Sequence, residues 1–579
     1  VLFRSHELNE EFKLPITYLS QKKKYELADN LQTDLELKET YDNSNNCIYD
    51  HLFDSTNPFS KQVIQSWSDY YTTDTTFLKE SQKLYKEIEV SKRHDPSDIE
   101  NIIEMWNELK TDLNFKERYC YVEWDMLEKL NSSSYFLSGL TLATLTSPIL
   151  TIVIPVLLMI VPFFMLKIQQ NSITFAEYFV VLKQLFSKLP VGRIFQFNSM
   201  TVEQRVTSLV SVFFYFFQIY QNFMHCYRYH KNLQKMHVYI EQLRSYNDIT
   251  IQSMNECLSF TDSLSSYNEF NIVVKNHKYI LEEMNSELYK VTPYKLGLSK
   301  IVNVGQALKQ FYAIHCNTTY HETLIYSFGF NGYIDNLLQL RELIDNKVIN
   351  KCSFSKKDTE FKNAYFAPLK DSEPVKNTYN LKKNMIITGP NAAGKTTMLK
   401  TTLFNIILSQ QIGFGFYKSA KVNPYDYIHC YINIPDTSGR DSLFQAEARR
   451  CKDIIDCIET YSNKRHFCVF DELYSGTNPY EAIASAYSYL HFMNTNKNVN
   501  YVLTTHYIDL CLKIERRDNK CSVNYHMEID NSGDEFKYTY RISRGISEIK
   551  GGIKVLKELN YPKSIIELTE SIINNSLTI

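Results

Sequence analysis

The eight residues Gly389-Pro390-Asn391-Ala392-Ala393-Gly394-Lys395-Thr396 fit the spacing G-x-x-x-x-G-K-[ST], and no other stretch constrains the fold as strongly. A loop of this kind works only where a strand enters it and a helix leaves it. The apolar run MII before it and the helical pattern after it supply both. Successive backbone N–H groups then face inward at the positive end of the helix dipole, which favours an anion. Residues 389–396, together with Thr397, are therefore assigned to the phosphates of a nucleotide. Lys395 reaches the β- and γ-phosphates, and Thr396 places its hydroxyl on Mg²⁺.

Two further strand ends point to the same place. The run FCVFDE ends in Asp471-Glu472, and VLTTHYIDL contains His506. An acid pair closing an apolar strand downstream of such a loop suits metal and water handling: Asp471 for Mg²⁺, Glu472 to orient and polarise an attacking water. His506 then senses the γ-phosphate. Short β-rich runs (NMIIT, HFCVFDE, NYVLTTH) alternating with helical stretches predict a parallel α/β sheet over residues 356–579. The preceding SFSKKDTEFKN reads as a polar connection. Apolar residues at three-and-four spacing predict helices from about Lys22 to Leu130, and again from residue 227 to about Asn350.

Between those helical stretches lies a segment of different character. Tyr135 to Leu166 carries no charge over 32 residues and includes prolines at 148, 155 and 162. Val206 to Met224 is a second uncharged run, closed by Arg228, Lys231 and Lys235. The first exceeds the ~20 residues needed to cross a bilayer, so residues 131–226 are expected to be a membrane-associated insert. Two crossings leave both helical stretches on one side. The intervening loop, with five Lys/Arg against two Glu, then lies outside, against the positive-inside rule. A re-entrant hairpin within 135–166 avoids that conflict, so both topologies stand.

Composition narrows the class. A net charge of −2 gives no global basic excess to advertise nucleic-acid binding. The twelve cysteines fall singly, without a C-x-x-C, which fits a reducing compartment better than a disulfide or zinc framework. The opening VLFRS is given no structural weight.

The nucleotide-site residues resemble one family, the MutS ATPases of DNA mismatch repair. GPNAAGKTT is similar to that family's phosphate loop. SGRDSLFQAE resembles its S-x-F-x-x-E signature through Ser442, Phe444 and Glu447, with one extra residue before the serine. DELYSGTNPYEA and THY follow in the family's order. ABC transporter ATPases share the loop, but their LSGGQ signature is missing. The resemblance covers about Asn363 to Thr569, and more faintly the first 130 residues. The tripeptide Phe115-Lys116-Glu117 mimics a mismatch-reading wedge but lies in the helical part and reads as coincidence.

The resemblance implies a multi-domain chain. An all-α core and lever (1–130 and 227–355) is interrupted by the transmembrane-like insert and followed by an ABC-type α/β P-loop domain with C-terminal dimerisation helices. It implies ATP and Mg²⁺ as cofactors, adenine held between Val375 and Tyr540, and Ser442 reaching a nucleotide bound by a second chain. That second chain is a further copy or a related subunit. The function implied is ATP-dependent DNA binding in mismatch repair. The alternative expectation is a membrane-anchored ATPase, facing cytosol or nucleoplasm, that tethers DNA or a membrane partner and contacts lipid through 135–166 and, in the wider form, 206–224.

Overall fold

The computed structural model describes residues 5–40, 46–55, 57–168, 174–186, 192, 201–294, 301–432, 442–530, 537–547, 556–557, 559 and 561–575. The chain divides into two compact units. One comprises Lys92–Gln252 and Asn276–Leu324 with the first two residues; the other comprises Phe3–Ser91, Ser253–Lys275 and Ile325–Ile579.

All described strands belong to the second unit. They are β1 (Lys24–Glu26), β2 (Tyr70–Thr72), β3 (Asn350–Phe354), β4 (Glu360–Ala364), β5 (Asn377–Asn380), β6 (Asn384–Thr388), β7 (Phe414–Gly415), β8 (Ser419–Val422), β9 (Tyr427–Tyr431), β10 (His466–Asp471), β11 (Val499–Thr505), β12 (Ser522–Asp530) and β13 (Lys537–Arg544). The main sheet runs β13-β12-β6-β11-β10-β9, parallel except for the β12–β13 hairpin. Its central strands are buried on both faces, as apolar β6 (NMIIT) and β10 (HFCVFD) require. The β6–β11–β10 order sets the phosphate loop, His506 and Asp471-Glu472 at adjacent strand ends.

A second, five-stranded sheet has the order β5-β4-β8-β3-β7. It corrects the expectation for SFSKKDTEFKN, which is not a simple connection but supplies the end of β3 and most of β4. Cys352, Phe361 and Ala364 turn inward while the charged residues between them stay exposed or half-exposed, so a polar composition concealed a half-buried strand pattern. The helical expectation over 22–130 is interrupted as well. β1 and β2 pair antiparallel, Tyr25 opposite Tyr71, where aromatic pairing outweighs the weak helical spacing.

The helix Lys395–Gln411 is buried over most of its length although it is rich in polar residues. Thr402 donates to the Tyr379 hydroxyl (2.9 Å), and Asn405 Oδ1 accepts from Phe416 N (2.7 Å). At its far end Gln410 Nε2 donates to the carbonyls of Tyr425 (2.9 Å) and Thr72 (3.2 Å). Gln411 Nε2 donates to those of Trp67 (2.6 Å) and Tyr70 (3.2 Å), and its Oε1 accepts from the Tyr49 hydroxyl (2.8 Å).

In the first unit, Ser134–Ile168 is one unbroken helix of 35 residues, so the re-entrant alternative within 135–166 is not observed. Each proline removes one backbone hydrogen bond but, at a seven-residue spacing, the losses recur near one face. Residues 206–224 belong to a 60-residue helix, Val202–Thr261. Gly305 lets the helix Ile301–Cys316 approach closely, since a Cβ there would lie 2.1 Å from the Ser134 carbonyl oxygen. Phe115 is buried against His315, with ring centroids 4.1 Å apart, so Phe115-Lys116-Glu117 packs a core rather than presenting a wedge.

Replacing Gln411 with Ala takes a partner from the Tyr70 carbonyl and leaves the Tyr49 hydroxyl and the Trp67 carbonyl only a long 3.4 Å contact with each other in a dry interior. Urea unfolding is expected to show a loss of about 2–4 kcal/mol, against a few tenths for an exposed substitution such as Lys452→Ala.

Candidate functional site

Gly394 adopts φ 93° and precedes the first turn of the Lys395–Gln411 helix. A side chain there would be strained, and its Cβ would meet Tyr540 Cδ1 at 3.0 Å. Asn391 and Ala392 are exposed and Ala393 is buried, so the loop arches away from the sheet and returns. The first N–H groups of the helix have no partner within the helix and open toward the loop. Thr397, on the first turn, is exposed.

Lys395 is buried, its Nζ donating to the carbonyls of Gly389 (3.0 Å) and Pro390 (3.2 Å). Burial lowers its pKa from the ordinary lysine value, and the Glu472 and Asp471 carboxylates oppose that shift. Nζ also lies 3.1 Å from His506 Nε2, which is itself 2.8 Å from Glu472 Oε1. One nitrogen cannot accept from lysine and donate to glutamate at once, so the two contacts exclude each other. The Glu472 contact, a charge-assisted one, is the stronger of the two. Glu472 is held below the ordinary carboxylate range, first by the hydrogen bond from His506 and then by the charges of His506 and Lys395, against the opposing effect of burial.

The pair assigned to a metal is in contact: Thr396 Oγ1 donates to Asp471 Oδ2 at 2.8 Å. Neighbouring oxygens of an octahedral Mg²⁺, each at ~2.1 Å, lie about 3.0 Å apart, so this spacing fits the ion with little movement. Thr504 holds the other carboxylate oxygen of Asp471. Nothing in the sequence pattern marked Thr504; its signal is its place in the TTH strand end.

Val375 and Tyr540 lie far apart in sequence but line one cavity of about 360 Å³, together with Phe366, Met527, Gly394 and Thr397. Asn377 holds the Tyr540 strand, donating to the Tyr540 carbonyl (3.0 Å) and accepting from Ile542 N (3.0 Å). The cavity therefore adjoins the phosphate loop, and its apolar walls suit a flat heterocycle. Nine described non-glycine residues have positive φ, and four of them (Ala392, Glu472, Tyr474, Tyr540) surround this site. Backbone strain of this kind persists where the surrounding structure over-determines it.

Ser442 stands apart from these groups. It caps the helix Leu443–Thr460, its Oγ accepting from Gln445 N (3.3 Å) while Gln445 Oε1 accepts from Ser442 N (2.9 Å), and it is exposed. Glu447 is buried and anchors the Ser475–Gly476 turn. It accepts from both backbone amides (3.1 Å each) and from the Ser475 hydroxyl (3.0 Å).

A separate group, His429, Cys457 and His466, has the residue types of a metal site. His429 Nε2 and His466 Nδ1 are 3.1 Å apart in rings tilted by 9°. His466 Nε2–H donates to the Tyr461 carbonyl (3.0 Å), which leaves Nδ1 to accept from His429. The pair is a hydrogen bond.

Asp471→Asn is expected to weaken Mg²⁺-dependent nucleotide binding at least tenfold while leaving metal-free binding within about twofold, as read by titration with a fluorescent ATP analogue. Lys395 gives the pH dependence: its ammonium is kept below its lowered pKa and lost above it. Affinity should therefore fall as pH rises, beginning below the ~10.4 of an ordinary lysine.

Residues 385–577 match the family described as MutS domain V. The DNA mismatch repair protein MutS of Persephonella marina is 29% identical over 216 residues, covering 36% of this chain and 24% of that protein. The DNA mismatch repair protein MSH3 of Cryptococcus neoformans is 29% identical over 192 residues, 32% of this chain and 16% of that protein. The chain thus spans about a quarter, or less, of the length of the curated relatives it matches. The loop, the strand-end acids and the Glu447-anchored turn thus all lie within 385–577, the stretch similar to MutS domain V.

Proposed function

We propose that the chain hydrolyses Mg-ATP at the 389–397 loop, in a site completed by Ser442 of a second chain, and couples that cycle to binding of mismatched DNA. The observation that carries the reading is the contact between Thr396 and Asp471 at 2.8 Å beside the Lys395–His506–Glu472 cluster. Bound Mg²⁺ would neutralise phosphate charge between Thr396 and Asp471. Lys395 exchanges its carbonyl partners for phosphate oxygens. Glu472, depressed in pKa, is a weak proton acceptor, so it orients the attacking water rather than deprotonating it early. His506 donates to the Glu472 carboxylate and lies beside Lys395, so its environment changes with what Lys395 binds.

The exposed position of Ser442, on a helix tied through Glu447 to the Ser475–Gly476 turn, supports a role toward a second chain. Support for DNA as the partner comes from the relatives, which are named DNA mismatch repair proteins.

Lys395→Ala and Glu472→Gln are each expected to lower ATP turnover at least a hundredfold, and undiminished turnover in either refutes the site. Ser442→Ala alone should be impaired yet regain activity when mixed with Lys395→Ala chains, because one mixed site then keeps both groups. DNA binding should weaken steeply with salt; no binding to mismatched duplex at low salt removes the DNA coupling but leaves the ATPase intact.

A further inference from the structure

Within the first unit the two uncharged helices form a pair. Thr141 Oγ1 meets the Tyr229 hydroxyl at 2.9 Å, Cys226 Sγ donates to the Leu145 carbonyl at 3.5 Å, and Asn222 Nδ2 donates to Thr151 Oγ1 at 3.0 Å. The partner numbers fall as 141, 145 and 151 rise, so Ser134–Ile168 and the first part of Val202–Thr261 run antiparallel. Extending that register brings Lys167 level with Arg205 at one end. At the other, Arg228 closes the uncharged run of the returning helix.

The surface between these levels is apolar. Ile149, Ile152, Val153, Val156, Leu157, Ile160, Val161, Phe164 and Met165 are exposed on the outgoing helix, and Leu209, Phe213, Phe214, Phe216, Tyr220 and Phe223 on the returning one. At 100° per residue these positions sweep about 220° of the outgoing helix and about 180° of the returning one, wider than the ~100° stripe with which a helix packs on protein. Among described residues, Ser134–Ile154 is long and apolar enough to cross a membrane, and only 17% of its most apolar stretch is buried, unlike the core helix of a soluble domain.

Dimensions and polar groups agree. Residues 149–168 span about 30 Å at 1.5 Å per residue, the thickness of a bilayer's hydrocarbon. Hydroxyls along the pair turn back onto their own helices: Thr146 to the Leu142 carbonyl (2.7 Å), Thr151 to Ser147 (2.8 Å), Thr207 to Glu203 (2.8 Å) and Ser211 to Thr207 (2.8 Å). In hydrocarbon such pairing is obligatory. The exposed Gln218 and Gln221 fall within three turns of the Arg228 end, toward water and headgroups.

We propose that this antiparallel pair is a hairpin that inserts into a phospholipid bilayer, with about 149–166 and 206–224 in the hydrocarbon and cationic residues at both rims facing anionic headgroups. The hairpin returns the chain to the side it left, so what precedes and follows it occupies one aqueous compartment, the ATP-containing cytosol or nucleoplasm. The inference stands apart from the nucleotide chemistry and survives if that reading fails.

Detergent-purified full-length protein, reconstituted with phosphatidylcholine–phosphatidylglycerol vesicles (4:1) and washed in alkaline carbonate, should float with the lipid. The double variant Leu157→Asp with Phe214→Asp, at exposed mid-depth positions, should float at least tenfold less while its ATP turnover matches that of the parent protein. Two results overturn the proposal. One is wild-type protein that stays monodisperse without detergent and remains at the bottom of the gradient. The other is a detergent-free oligomer that does not float, which would make a second copy the occupant of the apolar surface.

Discussion

The second unit is organised around a polar helix that has to be buried. Lys395–Gln411 runs through the interior with Thr402, Asn405, Ser409, Gln410 and Gln411 all hidden from water. A buried amide without a partner costs about 1–3 kcal/mol, so each must be met by a group placed for it. Those groups come from several surrounding elements: Tyr379 of β5, the backbone after β7, and the carbonyls of Trp67, Tyr70 and Thr72. The helix therefore fixes its neighbours as much as they fix it. Its first turn holds the phosphate loop, and its last is held by residues 67–72.

The same economy governs the site. Asp471 is held by Thr504 and Thr396, Glu472 by His506, and the Ser475–Gly476 turn by Glu447. Positive φ at Glu472 and Tyr474 aims successive groups in directions a regular strand end would not reach. The surrounding hydrogen bonds sustain that strain, which is the usual condition for geometry set in advance of a ligand. Ser442 is the exception, spending its hydroxyl on its own helix cap.

The first unit solves a different problem. Its helical pair satisfies its polar groups inwardly and turns aliphatic and aromatic side chains outward, the reverse of the rule for a surface in water.

The sequence by itself determined whatever depends on neighbours in the chain: the strand–loop–helix at Gly389–Lys395, the apolar strand closing in Asp471-Glu472, and the uncharged runs whose composition alone separates them from the rest. A local pattern carries these because a turn, a strand end or a helix is built from consecutive residues. Only the tertiary structure decided that SFSKKDTEFKN enters a sheet, that Thr504 holds Asp471, and that Thr151 faces Asn222 across two helices. Each of those contacts joins residues well separated in the chain, so no spacing encodes it; it arises only when burial brings the elements together and polar partners must be found.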